Sequence, residues 1–303
     1  MTDKLVKNIA ASVRQRLLNK AKSDRRPFNE LLQYYGMERF LYRLSQSPYS
    51  LQFVLKGGLM LRVWNVSESR PTMDIDMLGK TSNDPSRIIR QMQEIVTLVV
   101  EPDGMVFDPA SLVTEPITKD ADYQGVRVRC LGYLDTAKVN IQLDLGFGDV
   151  VFPQPETALL PTLLDYPAPQ LLCYSRESVI AEKFEAMLKL GALNSRMKDF
   201  YDVWLLSEQF DFDGVKLAEA IRLTLDHRGT AISDSILPFT EEFARDKQVQ
   251  WVALCRRLGR ERTPTEFVSV VAAIRPFLAP LVAALVNRTP PPSRWVAGGG
   301  WSS

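Results

Sequence analysis

Apolar residues near the start of the chain recur at helical spacing. The spacing predicts one helix over residues 3–21 and a second over residues 28–44. A short apolar run at 52–55 follows and is typical of a buried strand. This run leads into a glycine pair, and the next apolar residues, up to position 64, indicate a helix that begins at those glycines.

Further along, apolar and polar residues alternate with the period of two that strands produce. Strands are expected at residues 73–78, 106–117, 124–134 and 137–147, with a helix at 85–99 between the first two. The last two strands should form a hairpin that turns at Asp135 and Thr136. This mixture of strands and helices favours an α+β fold with a mixed sheet and flanking helices.

The second half of the chain has a different pattern. Helices are expected at residues 175–191, 196–206, 216–225, 241–258 and 263–286, the last opened by a capping box at Thr263 and kinked or split by Pro276 and Pro280. Five prolines between 153 and 169 predict an extended connection. The expected organisation is N-terminal helices at 1–50, a sheet domain at 51–152, the Pro-rich connection at 153–169, a helical domain at 170–287 and a disordered tail at 288–303.

Composition excludes several classes of site. The formal net charge is +1, so any nucleic-acid surface must be local. A lone histidine, His227, argues against catalytic triads and His-rich metal sites, and three scattered cysteines argue against a disulfide framework. Because we see neither a signal peptide nor a stretch that approaches the length of a membrane span, we expect a cytoplasmic protein with no membrane partner.

Carboxylates carry the candidate chemistry. Asp74 and Asp76 share one strand face, and Asp144 lies on the polar face of the strand at 137–147. If the two strands are neighbours, these three side chains can meet and hold Mg²⁺, with Mn²⁺ as the alternative. Asp144 could also orient or deprotonate an attacking hydroxyl. The competing interpretation is a solvated strand face.

Residues close to these acids are candidates for nucleotide binding. Gly57 and Gly58, preceded by Lys56, would let the backbone approach a phosphate, although a glycine pair alone more often marks a turn. Thr72 should point to the same face as Asp74, where its hydroxyl could contact a phosphate or be modified itself. An ordinary β-forming residue is an equally good interpretation of Thr72.

The helical half adds a lysine and two more acids. Lys183 lies beside an apolar stripe, so it must extend to solvent or meet an anion. That anion could be a triphosphate, or it could be Asp199 or Asp202 in a structural ion pair. Lys198 can pair with Asp202 one turn away, which leaves Asp199 as the better catalytic candidate and Asp202 as the second.

Together these residues form an ordered set of motifs over roughly residues 30–210. The motifs are Lys56-Gly57-Gly58, Arg70-x-Thr72-x-Asp74-Ile75-Asp76, Asp144-Leu-Gly-Phe-Gly-Asp149, Ala181-Glu182-Lys183 and Arg196-x-Lys198-Asp199-Phe-Tyr-Asp202. The set resembles the AbiEii/AbiGii toxin family of nucleotidyltransferases, which belongs to the DNA polymerase β-like superfamily. Many superfamily members have Gly-Ser where this chain has Gly57-Gly58, so a backbone amide would replace the serine hydroxyl here.

The resemblance implies a polymerase β-like sheet domain followed by a helical domain that completes an active-site cleft. It also implies a Mg²⁺-dependent toxin that transfers NMP from an NTP to an acceptor, with tRNA expected, to inhibit growth or abort phage infection. In this interpretation Lys183 binds nucleotide, and a cognate antitoxin is encoded nearby. The alternatives are an enzyme of the same fold that nucleotidylates proteins and a non-catalytic nucleotide- or RNA-binding module.

Two groups of basic residues could track an RNA backbone. Arg127 and Arg129 share one strand face, and a second group lies at Arg256, Arg257, Arg260 and Arg262. A charge run of this kind is more often a solvated surface.

Overall fold

The computed structural model describes residues 8–67, 70–118, 124–233, 236–259 and 263–302. The chain divides into two compact units. The sheet unit contains residues up to 65, 69–148 and 156–173, and the helical unit contains 66–68, 149–155 and the residues from 174 onward.

The sheet unit follows the predicted order of elements as far as residue 147. Its elements are α1 (Ile9–Ser23), α2 (Phe28–Gln46), β1 (Phe53–Lys56), α3 (Met60–Val63), β2 (Ile75–Gly79), α4 (Pro85–Val96), β3 (Met105–Thr118), β4 (Gln124–Leu134), β5 (Ala137–Phe147), β6 (Glu156–Leu159) and β7 (Gln170–Cys173). The last two strands, β6 and β7, were not predicted. Among the described residues, the strands form a seven-stranded sheet in the order β3-β4-β5-β2-β1-β7-β6. The pairs β2–β5 and β1–β7 are parallel, and the other pairs are antiparallel.

Alternation along β4 and β5 gives this part of the sheet one apolar and one polar face. Leu55, Ile75 and Leu143 belong to a buried core that also takes Leu17 from α1 and Tyr35 from α2. Along β5 the burial alternates as predicted, so Asn140, Gln142 and Asp144 lie on the face opposite this core. The polar face is therefore where the candidate chemistry can lie.

The Pro-rich segment is not a simple extended connection. Glu156–Leu159 forms β6, which pairs antiparallel with β7 at the edge of the sheet. Proline is tolerated at sheet edges, where one side of the strand needs no ladder hydrogen bond. The prediction of a connection over 153–169 overlooked this short strand, which lies between two prolines.

The helical unit contains the predicted helices. Its elements are α5 (Arg176–Leu190), α6 (Met197–Gln209), β8 (Phe212–Asp213), α7 (Gly214–Arg228), α8 (Glu241–Leu258), α9 (Phe267–Asn287), β9 (Arg294–Trp295) and β10 (Trp301–Ser302). Ser175 caps α5 as expected, since its hydroxyl accepts a hydrogen bond from the Ser178 N–H. The capping box at Thr263 is wrong, because α9 begins later and the Phe267 N–H donates to the Gln248 side chain, 2.7 Å away.

The expectation of a disordered tail is also wrong. Residues 294–295 and 301–302 form β9 and β10, which pair with each other, and β9 also pairs with β8. Trp295 is buried, and the Trp301 ring stacks on Phe277 with 5.9 Å between centroids. Apolar contacts of two tryptophans therefore order a segment whose prolines and glycines alone suggested disorder.

Helix α9 tests the expectation about membranes. Among the described helices, α9 is long and apolar enough to cross a bilayer, so the statement that no stretch approaches that length was wrong. Its buried residues include Val270, Ile274 and Leu281, and the helix packs on α6, α7 and α8. Such packing is typical of the core helix of a soluble protein. Both prolines lie inside one unsplit helix.

Candidate nucleotidyltransferase site

A row of charged residues crosses the polar face of the sheet. Strand register places Glu115 of β3 opposite Arg127 of β4, Arg127 opposite Asp144 of β5, Asp144 beside Asp76 of β2, and Asp76 opposite Lys56 of β1. Directly paired residues point to the same side of a sheet. Asp144 and Asp76 are the neighbouring like charges in this row, and cations flank them on both sides.

Asp74 joins these two acids. It lies immediately before β2, and ligand oxygens of Asp74, Asp76 and Asp144 all lie within 4.8 Å of one another, with each residue half-buried. The structure thus brings together the three acids that the sequence singled out. Like charges at this spacing repel, and a bound divalent cation would remove that cost.

The chemistry of the donor set fits a hard cation. All three donors are carboxylate oxygens, which suit Mg²⁺ and Mn²⁺, and partial exposure leaves room for water and substrate oxygens. Among the described residues, this is the one group of three or more acids, histidines or cysteines that lie close enough together to hold a metal ion.

Position 57 requires glycine because its backbone lies against the acidic cluster. Its φ of +70° lies in the left-handed region, and a Cβ at this position would stand 2.0 Å from Asp76 Oδ2. A Cβ on Gly58 would stand 2.9 Å from Thr72 Oγ1 and 3.1 Å from an Arg70 guanidinium nitrogen. The glycine pair therefore brings the backbone against the acidic site.

Thr72 has a protein partner in this structure. Its hydroxyl donates a hydrogen bond to Asp74 Oδ1 over 2.9 Å. The bond orients the Asp74 carboxylate and lets Thr72 act on the cluster through that residue. Thr72 and Asp74 both lie before β2, so they do not share a strand face as predicted, but their side chains do meet.

Arg127 is the residue whose position the sequence interpretation missed. Its Nε and Nη2 donate to the two oxygens of Asp144 over 2.8 and 2.7 Å. The hydrogen bond to Asp144 raises the pKa of the Arg127 guanidinium. The predicted hairpin already implied this pairing. A turn at Asp135 and Thr136 pairs Leu134 with Ala137, and seven residues further from the turn on each strand it pairs Arg127 with Asp144.

The other basic residues considered for RNA contact are Arg129 and four arginines between positions 256 and 262. Arg129 forms an ion pair with Glu115, and both are about half exposed. Arg256 and Arg257 lie in the last turn of α8, where their positive charges interact favourably with the negative end of the helix dipole. Arg260 and Arg262 lie outside the described residues.

In the helical unit, Lys183 lies between two acids. Its Nζ is 2.7 Å from Asp199 Oδ1 and 2.8 Å from Asp202 Oδ2, and Arg196 Nε is 2.6 Å from Asp199 Oδ2. Both acids are buried, whereas Lys198 is exposed, so Asp202 faces Lys183 rather than forming the predicted surface pair. The structural ion pair considered for Lys183 is therefore present.

The charges around Asp199 determine its protonation. Burial alone would raise the pKa of this carboxyl, but Lys183 and Arg196 more than offset that effect and hold the pKa below its usual range. Asp199 is consequently a weak base.

Comparison with known proteins agrees with this geometry. The family model described as nucleotidyl transferase AbiEii toxin, type IV TA system, matches residues 39–277. JHP933 from Helicobacter pylori is 15% identical with a TM-score of 0.51, covering 86% of this chain and 95% of that chain. An inferred nucleotidyltransferase from H. pylori is 14% identical with a TM-score of 0.44, covering 85% and 95%. No curated protein matches the chain.

At these identities the likeness to JHP933 shows a shared fold. The family match covers most of the chain, including every candidate residue described above. This chain is a nucleotidyltransferase that belongs to the AbiEii toxin family of type IV toxin–antitoxin systems.

Proposed function

We propose that Asp74, Asp76 and Asp144 hold Mg²⁺, with Mn²⁺ able to replace it, and that the enzyme transfers NMP from an NTP to an RNA acceptor, with tRNA expected. The observation that carries this proposal is the convergence of the three carboxylates within 4.8 Å beside Gly57. When bound, the metal supplies positive charge that offsets the negative charge of the triphosphate.

The chain's own residues position the reactants. Backbone at Gly57 and Gly58 offers close approach to phosphate oxygens, and Lys56 adds a cation in the register position opposite Asp76. Thr72 holds Asp74 in place. An acceptor hydroxyl oxygen forms a bond to the α-phosphorus, the bond from that phosphorus to the bridging oxygen breaks, pyrophosphate leaves, and the hydroxyl proton passes to solvent.

Neither Asp144 nor Asp199 is well suited to take that proton. Both oxygens of Asp144 accept hydrogen bonds from Arg127, and Asp199 has a lowered pKa. We therefore assign Asp144 to metal binding. Asp199 and Asp202 hold Lys183, and Lys183 is proposed to bind the triphosphate.

The biological consequence proposed is arrest of growth or abortion of phage infection in the cytoplasm, countered by an antitoxin encoded nearby. The family match to type IV toxin–antitoxin systems supports the toxin and antitoxin parts of this proposal.

The test uses purified enzyme, Mg²⁺ and each α-labelled NTP, with total tRNA or total cell protein as acceptor. Label on tRNA that is lost in Asp76→Asn supports the proposal. Label on protein would instead identify a protein-nucleotidylating enzyme. Binding of an NTP without transfer to either acceptor would indicate a non-catalytic nucleotide- or RNA-binding module.

A further inference from the structure

Arg127 does more at this site than balance charge on the surface. The hydrogen-bonded guanidinium covers both oxygens of Asp144, with the Arg127 side chain 31% exposed and the Asp144 side chain 18% exposed. A bidentate guanidinium–carboxylate pair fixes orientation as well as charge. A carboxylate has about four lone-pair positions, so Asp144 keeps acceptor capacity for another partner.

Position in the row of charges shows what this pair does. Asp144 and Asp76 occupy adjacent register positions, and Arg127 lies on the far side of Asp144 from Asp76. A permanent cation here lowers the net negative charge that a divalent ion would meet. It therefore weakens the attraction of the carboxylates for a metal ion that arrives without nucleotide.

We propose that Arg127 is a positioning residue that holds Asp144 and keeps the affinity of the site for free divalent cation low, so that the metal enters together with the nucleotide. This inference rests on the proposed metal role of the three acids. An NTP contributes its own phosphate oxygens and negative charge, which compensate for the cation of Arg127.

Three variants separate charge from geometry. Arg127→Gln removes both the positive charge and the bidentate pair of hydrogen bonds to Asp144. Arg127→Lys keeps the charge but not the bidentate geometry. Arg129→Gln is the matched control, because Arg129 is on the same strand face, loses the same unit of charge and pairs with Glu115 instead.

The measurement is Mn²⁺ binding to the full chain by electron paramagnetic resonance, without nucleotide, alongside kcat and KM for the labelled NTP. R127Q should bind free Mn²⁺ on the order of tenfold more tightly than wild type, from the Coulomb energy of one unit charge near a divalent ion. Its kcat should fall at least about tenfold, because Asp144 loses its fixed orientation. R127K should keep wild-type Mn²⁺ affinity but lose kcat, and R129Q should leave Mn²⁺ affinity unchanged.

An unchanged Mn²⁺ affinity in R127Q, or an equal gain in R129Q, would overturn the inference. Weaker Mn²⁺ binding in R127Q would also overturn it, because Arg127 would then only organise the ligands. Asp76→Asn separates this failure from that of the proposed function. If it leaves Mn²⁺ binding intact, the metal assignment itself is wrong.

Discussion

The two compact units hold their clustered carboxylates in different ways. In the helical unit each acid meets a cation, because Lys183 lies between Asp199 and Asp202 and the acids are only 5% and 1% exposed. In the sheet unit, Asp76 and Asp144 are register neighbours of the same charge, and both remain half-buried. Burial with alternating charge stabilises a fold, whereas adjacent like charges near solvent are maintained at a cost that a ligand can offset.

The largest effect expected from this comparison is on transfer by the sheet unit's acids. Asp76→Asn should reduce labelled NMP transfer on the order of 100-fold or more, because a metal ligand and its charge are lost. Its midpoint of thermal unfolding should stay close to that of wild type, because the lost repulsion from Asp144 and the lost attraction to Lys56 act in opposite directions. Retained transfer would contradict the proposed metal role of Asp76. A clearly lower midpoint would mean that Asp76 stabilises the fold like the acids of the helical unit.

The opposite behaviour is expected at Lys183. Lys183→Met leaves two buried carboxylates close together and should cost about 3–5 kcal/mol of unfolding free energy, the usual penalty for breaking a buried ion pair. Urea denaturation measures it. The control is Lys198→Met, a lysine exposed on α6, which should change stability by less than about 0.5 kcal/mol.

A Lys183→Met variant of normal stability that no longer transfers NMP would instead assign the lysine to substrate alone. Loss of both stability and transfer would be consistent with Lys183 acting in the fold and in nucleotide binding.

Gly57 provides the third test, with Gly148 as the control position. Both have positive φ, +70° and +83°, so alanine at either position carries a backbone penalty of about 1 kcal/mol. At Gly57 the added methyl would also strike the Asp76 carboxylate, while at Gly148 nothing lies within 4 Å. Gly57→Ala should therefore lower transfer at least about tenfold, whereas Gly148→Ala should not.

Equal loss of transfer in the two alanine variants would attribute the effect to backbone conformation. In that case the close approach of Gly57 to Asp76 would be a packing detail without catalytic weight.

Local patterns predicted the strands and helices well because burial enforces them. Alternation along β5 required Val139, Ile141 and Leu143 to face the core, which placed Asp144 on the opposite face. What local patterns could not give was partner identity. The pairing of Arg127 with Asp144 needed the hairpin register to be counted residue by residue from the turn.

Short elements held by distant contacts were missed for a related reason. Strands β9 and β10 have two residues each. Their formation depends on the packing of Trp295 and Trp301 on Phe277, which lies outside the segment in sequence. In the same way, the start of α9 is set by Gln248 rather than by a residue of its own first turn. Composition alone carries no information about such partners.

The last comparison concerns pH and takes one buried acid from each unit. Glu38 is fully buried beside Arg39, 2.9 Å away, and burial raises its pKa to about 7, with Arg39 offsetting only part of the rise. Asp199, with two cations, has a lowered pKa. Arg39 and Arg62 lower the pKa of Glu38 by less than burial raises it, whereas Lys183 and Arg196 lower the pKa of Asp199 by more than burial raises it.

The two pKa changes predict opposite pH dependence. Because the folded pKa of Glu38 exceeds its ordinary value of 4.5, the folded state binds more protons between pH 4.5 and about 7. The stability that Glu38 contributes is present below pH 4.5 and is lost as pH rises through about 7, with a slope of about 1.4 kcal/mol for each pH unit in that window. The contribution of Asp199 is present above its ordinary value of 3.8 and is lost only as pH falls through its lowered pKa.

Urea unfolding at pH 5, 6, 7 and 8 checks these signs. Relative to wild type, Glu38→Gln should gain stability steadily between pH 5 and 7 and then level off, because glutamine cannot ionise. Asp199→Asn should be destabilised by a constant amount over the same range. A constant difference for Glu38→Gln as well would mean that Arg39 and Arg62 keep this buried acid ionised, and the contrast between the two buried acids would be lost.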